Sequence, residues 1–227
     1  FSFYFRQMLA PRLLELAAGG AYNLHGSLLP RYRGRVPVNW AVLHGERETG
    51  ASLHYMEIKP DAGNLVAQTA VPILGDDTAF EVFQKVTVAA ELTLARALPQ
   101  LIAGTAPSVP LNLKAGSYFS GRKSEDGRID WTRTAAEVNN LVRAVAPPYP
   151  GAFADLGSKR IIVARARVAA AEAMSSVPVA GQIARMSNGS LGFVCGDGKL
   201  LIPLRLIVED KTLDASASQT WLATVKQ

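Results

Sequence analysis

The chain has 227 residues, of which 48% are hydrophobic, 7% aromatic and 19% charged; that is enough apolar content to bury a core and too much for a disordered chain. A formal net charge of +5 and a pI near 9.5 favour anionic partners such as phosphates or nucleotides, although the Lys and Arg residues are scattered and form no long basic run. No apolar stretch reaches the ~18 residues of a membrane span, the single cysteine, Cys195, rules out an internal disulfide, and with only His25, His44 and His54 as histidines no structural zinc site is expected.

Phe1–Phe5 reads as a short buried strand. No turn or cap precedes it and no charged leader segment opens the chain, so we expect a cytoplasmic protein whose natural N-terminus lies further upstream. A helix is predicted over Ala10–Ala18 from Leu13, Leu14 and Leu16, closed by Gly19-Gly20. Ala21–His25 follows as a strand, then a loop with Pro30 and Gly34, then a short helix over Val38–Leu43. Strands are predicted at Ala51–Met56 and Leu65–Pro72, parted by the turn-rich Lys59-Pro60-Asp61-Ala62-Gly63. Thr78 and Glu81 fit a capping box, and behind them Phe83, Val86, Ala90, Leu94, Leu98 and Leu101 recur at helical spacing until Gly104 and Pro107. Strand–helix alternation of this kind predicts an α/β sheet covered by helices over residues 1–105.

Residues 106–120, bearing Pro, Gly and Ser, read as a linker, and 121–227 as a small β-rich, barrel-like domain. There Thr134 and Glu137 form a second capping box for a helix reaching Val145, which the Pro147-Pro148-Tyr149-Pro150-Gly151 cluster ends. Strands are expected at Ile161–Val168, Gln182–Met186, Leu191–Cys195 and Leu200–Ile207, with Gly196-Asp197-Gly198 as a hairpin turn.

Asn23 and His25 stand two apart, hence on one face, at the C-terminal end of a strand, where α/β sheets place their sites. An asparagine N–H can meet a developing oxyanion and a histidine can exchange a proton near neutrality. Asp61, in the turn after a strand able to neighbour the first, is the natural carboxylate for the imidazole. Taken singly, each has a blander reading: a satisfied polar pair at a strand end, and turn chemistry for the aspartate. His54 shares a strand face with Ser52 and Met56 and reads as a packed residue, His44 as solvated, Arg31 and Arg33 as anion-steering or merely solvated, and Cys195 as core.

The run Asn23-Leu24-His25-Gly26-Ser27-Leu28-Leu29-Pro30-Arg31-Tyr32-Arg33-Gly34 resembles the signature of folate-dependent formyltransferases. The resemblance continues through Asn39-Trp40, Gly45-Glu46, Glu48-Thr49-Gly50 and Asp61-Ala62-Gly63, and Arg128-Ile129-Asp130-Trp131, Arg143-Ala144-Val145 and Pro150-Gly151-Ala152-Phe153 are similar to that family's C-terminal domain. Roughly the first 80 residues of the family pattern, with its opening strands, have no counterpart here, so the resemblance implies a Rossmann-like sheet incomplete at its N-terminus. It further implies 10-formyltetrahydrofolate as formyl donor, Asn23 as stabiliser of the oxyanion, His25 as the proton-handling group, and Asp61 as the carboxylate that raises the pKa of His25. Folate contacts would fall on Gln7, Met8 and Leu9 and on Glu57, Ile58, Lys59, Pro60 and Asp61, and the acceptor contact on Arg35. Phe1-Ser2-Phe3-Tyr4-Phe5-Arg6 and Leu53-His54-Tyr55-Met56 are similar to members acting on an amino-sugar nucleotide, UDP-4-amino-4-deoxy-L-arabinose, and the stretch Arg35-Val36-Pro37-Val38-Asn39-Trp40 is unlike the Ala-Ala-Pro-Ile-Gln run of the methionyl-tRNA enzymes. Methionyl-tRNA is the alternative acceptor, and a non-catalytic folate- or nucleotide-binding module the alternative from another class.

Overall fold

A computed structural model describes residues 1–5, 7–169 and 179–225. They form two compact units, one of residues 1–41, 46–75 and 81–122, the other of 42–45, 76–80 and 123–227.

The elements up to residue 122 are β1 (Ser2–Phe3), α1 (Pro11–Glu15), β2 (Tyr22–His25), β3 (Arg33–Gly34), α2 (Pro37–Leu43), β4 (Glu48–Tyr55), β5 (Leu65–Pro72), α3 (Ala79–Ile102) and β6 (Tyr118–Phe119). A four-stranded sheet runs β1-β2-β4-β5, with β1 parallel to β2 and the other pairs antiparallel. The α/β class is thus as expected. The buried strand expected over Phe1–Phe5 is not found: only Ser2–Phe3 is strand, and Phe1, Phe3 and Phe5 are 59%, 52% and 57% exposed. The physical reason is position, since among the described residues β1 is the outer strand and pairs with β2 alone. The first helix is shorter than its Leu pattern suggests because α1 buries none of its residues, and tertiary packing is what extends a short helix.

Every residue of β4 from Thr49 to His54 is buried, whereas β5 alternates between covered and exposed positions. Strand β4 is therefore enclosed on both faces, and its polar residues need partners inside the protein. The stretch 106–120, read as a linker, is tied to this unit. Val109 and Leu65 exchange backbone hydrogen bonds of 2.9 and 2.8 Å, and β6 pairs in parallel with β3. That pairing requires glycine at position 34, where φ is +95° and a Cβ would lie 2.1 Å from the Phe119 carbonyl oxygen.

The second unit contains α4 (Ala135–Val145), β7 (Ala152–Leu156), β8 (Lys159–Ala169), β9 (Ile183–Arg185), β10 (Leu191–Val194), β11 (Leu200–Val208), β12 (Lys211–Leu213) and α5 (Ala215–Thr224). Its antiparallel sheet runs β7-β8-β11-β10-β9, with β12 beside β11, giving the β-rich domain expected. The Thr134–Glu137 box forms: the Glu137 N–H donates to Thr134 Oγ1 at 3.2 Å and the Thr134 N–H to Glu137 Oε2 at 3.0 Å. Strands β7 and β12 and helix α5 go beyond the sequence expectation. Ile161, Val163, Phe193, Leu201 and Leu206 are fully buried, and Trp131 stacks on Phe193 at 4.6 Å. Cys195 is buried here too, and burial pushes its thiol up to about 12. Among the described residues no helix is long and apolar enough to cross a membrane.

Candidate active site

Strands β2 and β4 and the turn beyond β4 bring four polar side chains together. The antiparallel register sets Asn23 opposite His54 and His25 opposite Ser52. The Asn23 carboxamide Nδ2 lies 3.2 Å from His54 Nε2. Asp61 joins them from the turn, its Oδ1 3.5 Å from His25 Nδ1 and 3.6 Å from His54 Nε2. Its Oδ2 accepts the Gly34 N–H at 2.8 Å. His25 and His54 are thus gathered around the Asp61 carboxylate, with Asn23 joined to it through His54.

Local backbone conformation makes this possible. Asp61 sits at φ +50°, a left-handed conformation that aspartate tolerates better than most residues and that reverses the chain sharply. Two residues on, a Cβ at Gly63 would fall 2.0 Å from the Tyr55 carbonyl oxygen, so only glycine lets the turn close against the end of β4.

Buried polar side chains anchor the loop between β2 and β3. Ser52 Oγ donates to the Ser27 carbonyl at 2.5 Å and accepts the Leu29 N–H at 3.0 Å. Gln68 Nε2 reaches both Ser52 Oγ and the Leu29 carbonyl at 2.8 Å. Further along, Tyr32 donates its N–H to Ser117 Oγ at 2.8 Å and its hydroxyl to Glu46 Oε1 at 2.7 Å. The loop so held supplies two groups to the site: the Gly34 N–H on Asp61, and the Tyr32 carbonyl, 2.7 Å from His25 Nε2. At that distance from a carbonyl oxygen Nε2 must carry a proton.

Burial pushes the His25 pKa down, and the Asp61 charge and Tyr32 carbonyl, which act to raise it, do not fully offset that, so it stays below its usual 6.5. Asp61 does raise the His25 pKa, as expected, but by less than burial lowers it. For Asp61 itself burial acts upward, yet His54, His25 and the Gly34 N–H together hold the carboxyl below its usual 3.8. The site is an ionised carboxylate serving two imidazoles, with a carboxamide alongside: the equipment for moving a proton and stabilising a developing oxyanion.

The remaining expected residues flank this centre in sequence. Gln7, Met8 and Leu9 follow β1, which lies alongside β2 with Ser2 opposite Asn23; Met8 is 63% exposed. Glu57, Ile58 and Lys59 are exposed in the turn leading to Asp61, with Pro60 half-buried. Arg35 is exposed at the end of β3, where its N–H donates to the Phe119 carbonyl at 3.0 Å. Arg33 is buried against the Tyr118 ring, His44 is exposed, and Arg31 is ion-paired with Glu46. Among the described residues no group of His, Cys, Asp and Glu could hold a metal ion. His54 was read as packing and belongs to the cluster; the available signal was its place on the strand next to that of Asn23, one residue beyond Leu53 and seven before Asp61.

Comparison with known proteins bears on both units. The family profile described as formyl transferase matches residues 3–98, and that described as formyl transferase, C-terminal domain, matches 122–221. Among solved structures, the N-formyltransferase from Helicobacter canadensis in complex with folinic acid and dTDP-3-aminofucose is similar at 21% identity and a TM-score of 0.61, over 80% of this chain and 65% of that one. HypX from Aquifex aeolicus in complex with tetrahydrofolic acid is similar at 17% identity and a TM-score of 0.68, over 98% of this chain and 38% of that one. The formyltransferase PseJ from Anoxybacillus kamchatkensis, in complex with UDP-4,6-dideoxy-4-formamido-L-AltNAc and tetrahydrofolate, has 27% identity and a TM-score of 0.50, over 55% of this chain and 65% of that one. The present chain therefore spans less than two thirds of the length of each.

Proposed function

The chain belongs to the formyltransferase family, and from that premise we propose that it transfers a formyl group from 10-formyltetrahydrofolate to the amine of an amino-sugar nucleotide. The observation that carries this reading is the convergence of Asn23, His25 and Asp61, with Asp61 Oδ1 3.5 Å from the His25 ring.

In this reaction the amine nitrogen adds to the formyl carbon, and the carbonyl oxygen becomes an oxyanion. Asn23 offers an N–H to that oxygen. The amine must lose a proton, and folate N10 must gain one as its bond to carbon breaks. His25, already protonated at Nε2, accepts the amine proton at Nδ1; the resulting imidazolium is held between the Tyr32 carbonyl and the Asp61 carboxylate and gives that proton to N10 as the oxyanion collapses and the C–N10 bond breaks. Low native pKa keeps His25 unprotonated at neutral pH and so ready to accept. The exposed side chains of Met8 and Ile58 give the folate an apolar contact on the two segments assigned to it, and Arg35 offers a guanidinium to a phosphate of the acceptor.

Two similar enzymes support a nucleotide-sugar acceptor: those from Helicobacter canadensis and Anoxybacillus kamchatkensis are complexed with nucleotide sugars. The acceptor we favour is UDP-4-amino-4-deoxy-L-arabinose, substrate of the formyltransferase half of the bifunctional polymyxin-resistance enzyme, to which Phe1-Ser2-Phe3-Tyr4-Phe5-Arg6 and Leu53-His54-Tyr55-Met56 are similar, while the Arg35–Trp40 stretch is unlike the corresponding run of the methionyl-tRNA enzymes; this would place the chain in lipid A modification. The test is formyl transfer from 10-formyltetrahydrofolate to UDP-4-amino-4-deoxy-L-arabinose, to a dTDP-linked amino sugar and to methionyl-tRNA, read by the mass gain of the acceptor. Transfer to a nucleotide sugar is expected; transfer to methionyl-tRNA alone would overturn the acceptor assignment.

A further inference from the structure

The ring of His54 is held more specifically than packing requires. Its Nδ1 lies 2.7 Å from the Tyr55 carbonyl oxygen, so Nδ1 carries a proton, because a lone pair facing a carbonyl at that distance is repulsive. In the neutral ring Nε2 is then an acceptor, and the group 3.2 Å away is the Asn23 carboxamide. Only the NH2 end of that amide satisfies a lone pair. The tautomer of His54 therefore decides which way Asn23 points, a choice that the near-symmetric shape of a carboxamide leaves open. His54 is 2% exposed, so water does not compete for Nε2. Asn23 makes no other side-chain hydrogen bond among the described residues, which leaves its second N–H for a reacting group.

We propose that His54, protonated at Nδ1 and accepting at Nε2, is a positioning residue that holds one N–H of Asn23 so that the other meets the oxyanion formed at the formyl carbon. This rests on the formyl-transfer reading above. The other tautomer undoes the arrangement: with its proton on Nε2 the ring no longer accepts from Asn23 and turns its donor to Asp61 Oδ1, 3.6 Å away. Asp61 also faces His25, so in that tautomer His54 would compete with His25 for the same carboxylate.

The experiment compares the full chain with its Asn23→Ala, His54→Ala, His54→Gln and doubly substituted Asn23→Ala/His54→Ala forms. It is joined to long-range 1H–15N spectra of the histidine rings. His54→Ala should lower kcat by about 10–10²-fold while acceptor KM stays within about twofold, because the lost interaction serves the transition state. His54→Gln, whose amide can again accept from Asn23, should recover part of the loss. The double variant should be no more than about twofold slower than Asn23→Ala alone, since His54 acts through Asn23. The spectra should show His54 protonated at Nδ1 only. Additive losses in the double variant, a loss confined to KM, or a ring protonated at Nε2 would each overturn the proposal. A wild-type chain that formylates none of the acceptors would sink the formyl-transfer reading, and the tautomer spectrum would still decide the placement of His54.

Discussion

Strand β4 at the centre of the first sheet buries Thr49, Ser52 and His54 together with Ala51 and Leu53, while β11, the corresponding inner strand of the second sheet, buries Leu200, Leu201, Ile202, Leu206 and Val208. The apolar strand requires nothing of its neighbours beyond good fit. Ser52 and His54 on β4, by contrast, oblige other groups to be in place: Ser52 binds the Ser27 carbonyl, the Leu29 N–H and Gln68, and His54 binds Asn23 and the Tyr55 carbonyl. A buried polar network specifies geometry where an apolar core supplies stability, and the proposed reacting groups lie in the unit built on the network. Substitutions in the first unit should therefore act on turnover, and those in the second on stability.

The largest expected effect is on turnover. His25→Ala and Asp61→Ala should each lower kcat by about 10²–10⁴-fold, the range for removing a general acid–base group, with an unchanged circular dichroism spectrum. In the other direction, Phe193→Ala, at the centre of the second core, should cost about 3–5 kcal/mol of stability in urea titrations, while the molecules that remain folded keep their kcat. Ser52→Ala sits between the two. It leaves the Leu29 N–H and one Gln68 donor without their partner, so it should cost about 1–3 kcal/mol and also slow turnover by loosening the loop that carries Tyr32 and Gly34. A Ser52→Ala enzyme with wild-type kcat would show that the network is scaffolding only.

The smallest effect is a dependence of stability on pH. His25 has a native pKa below 6.5, so the unfolded chain binds more protons than the native one in the interval between the two values. Its contribution is complete above the unfolded value and is lost as the pH falls below it towards the native pKa. Asp61, held below 3.8, behaves alike at lower pH, its contribution being lost as the pH falls below that value. Denaturant midpoints should decline from about pH 7 to about pH 5, and His25→Gln should flatten that decline. A wild-type midpoint that stayed level over the interval would contradict the direction assigned to His25.

Legibility in the sequence followed the same division. Strand β5 and the Thr134–Glu137 cap lay where alternation and capping chemistry placed them. Asn23, His25 and Asp61 were found as a set through the resemblance, because single polar residues at strand ends or in turns carry no period. His54 was missed as a member of the site because β4 is buried on both faces, so its residues show no inside–outside alternation to mark a functional one. The two-residue strands β3 and β6 are too short for any pattern and depend on long-range pairing between Arg33–Gly34 and Tyr118–Phe119. Helix α5 was unread because Ala215–Thr224 is rich in Ser and Thr and has only Trp221 and Leu222 as large apolar residues; Asp214, which caps it by accepting the Ala217 N–H at 2.9 Å, was its one signal.

The measurement closest to the central claim is single-turnover formyl transfer by the wild-type chain and by Asn23→Ala, with 10-formyltetrahydrofolate and an amino-sugar nucleotide both saturating. Under those conditions binding differences drop out and the rate reports the chemical step alone. If Asn23 carries the oxyanion at a site organised around Asp61, the rate should fall by about 10²–10³-fold, the loss that accompanies removal of one oxyanion donor. An Asn23→Ala rate equal to that of wild type would contradict the account at its centre.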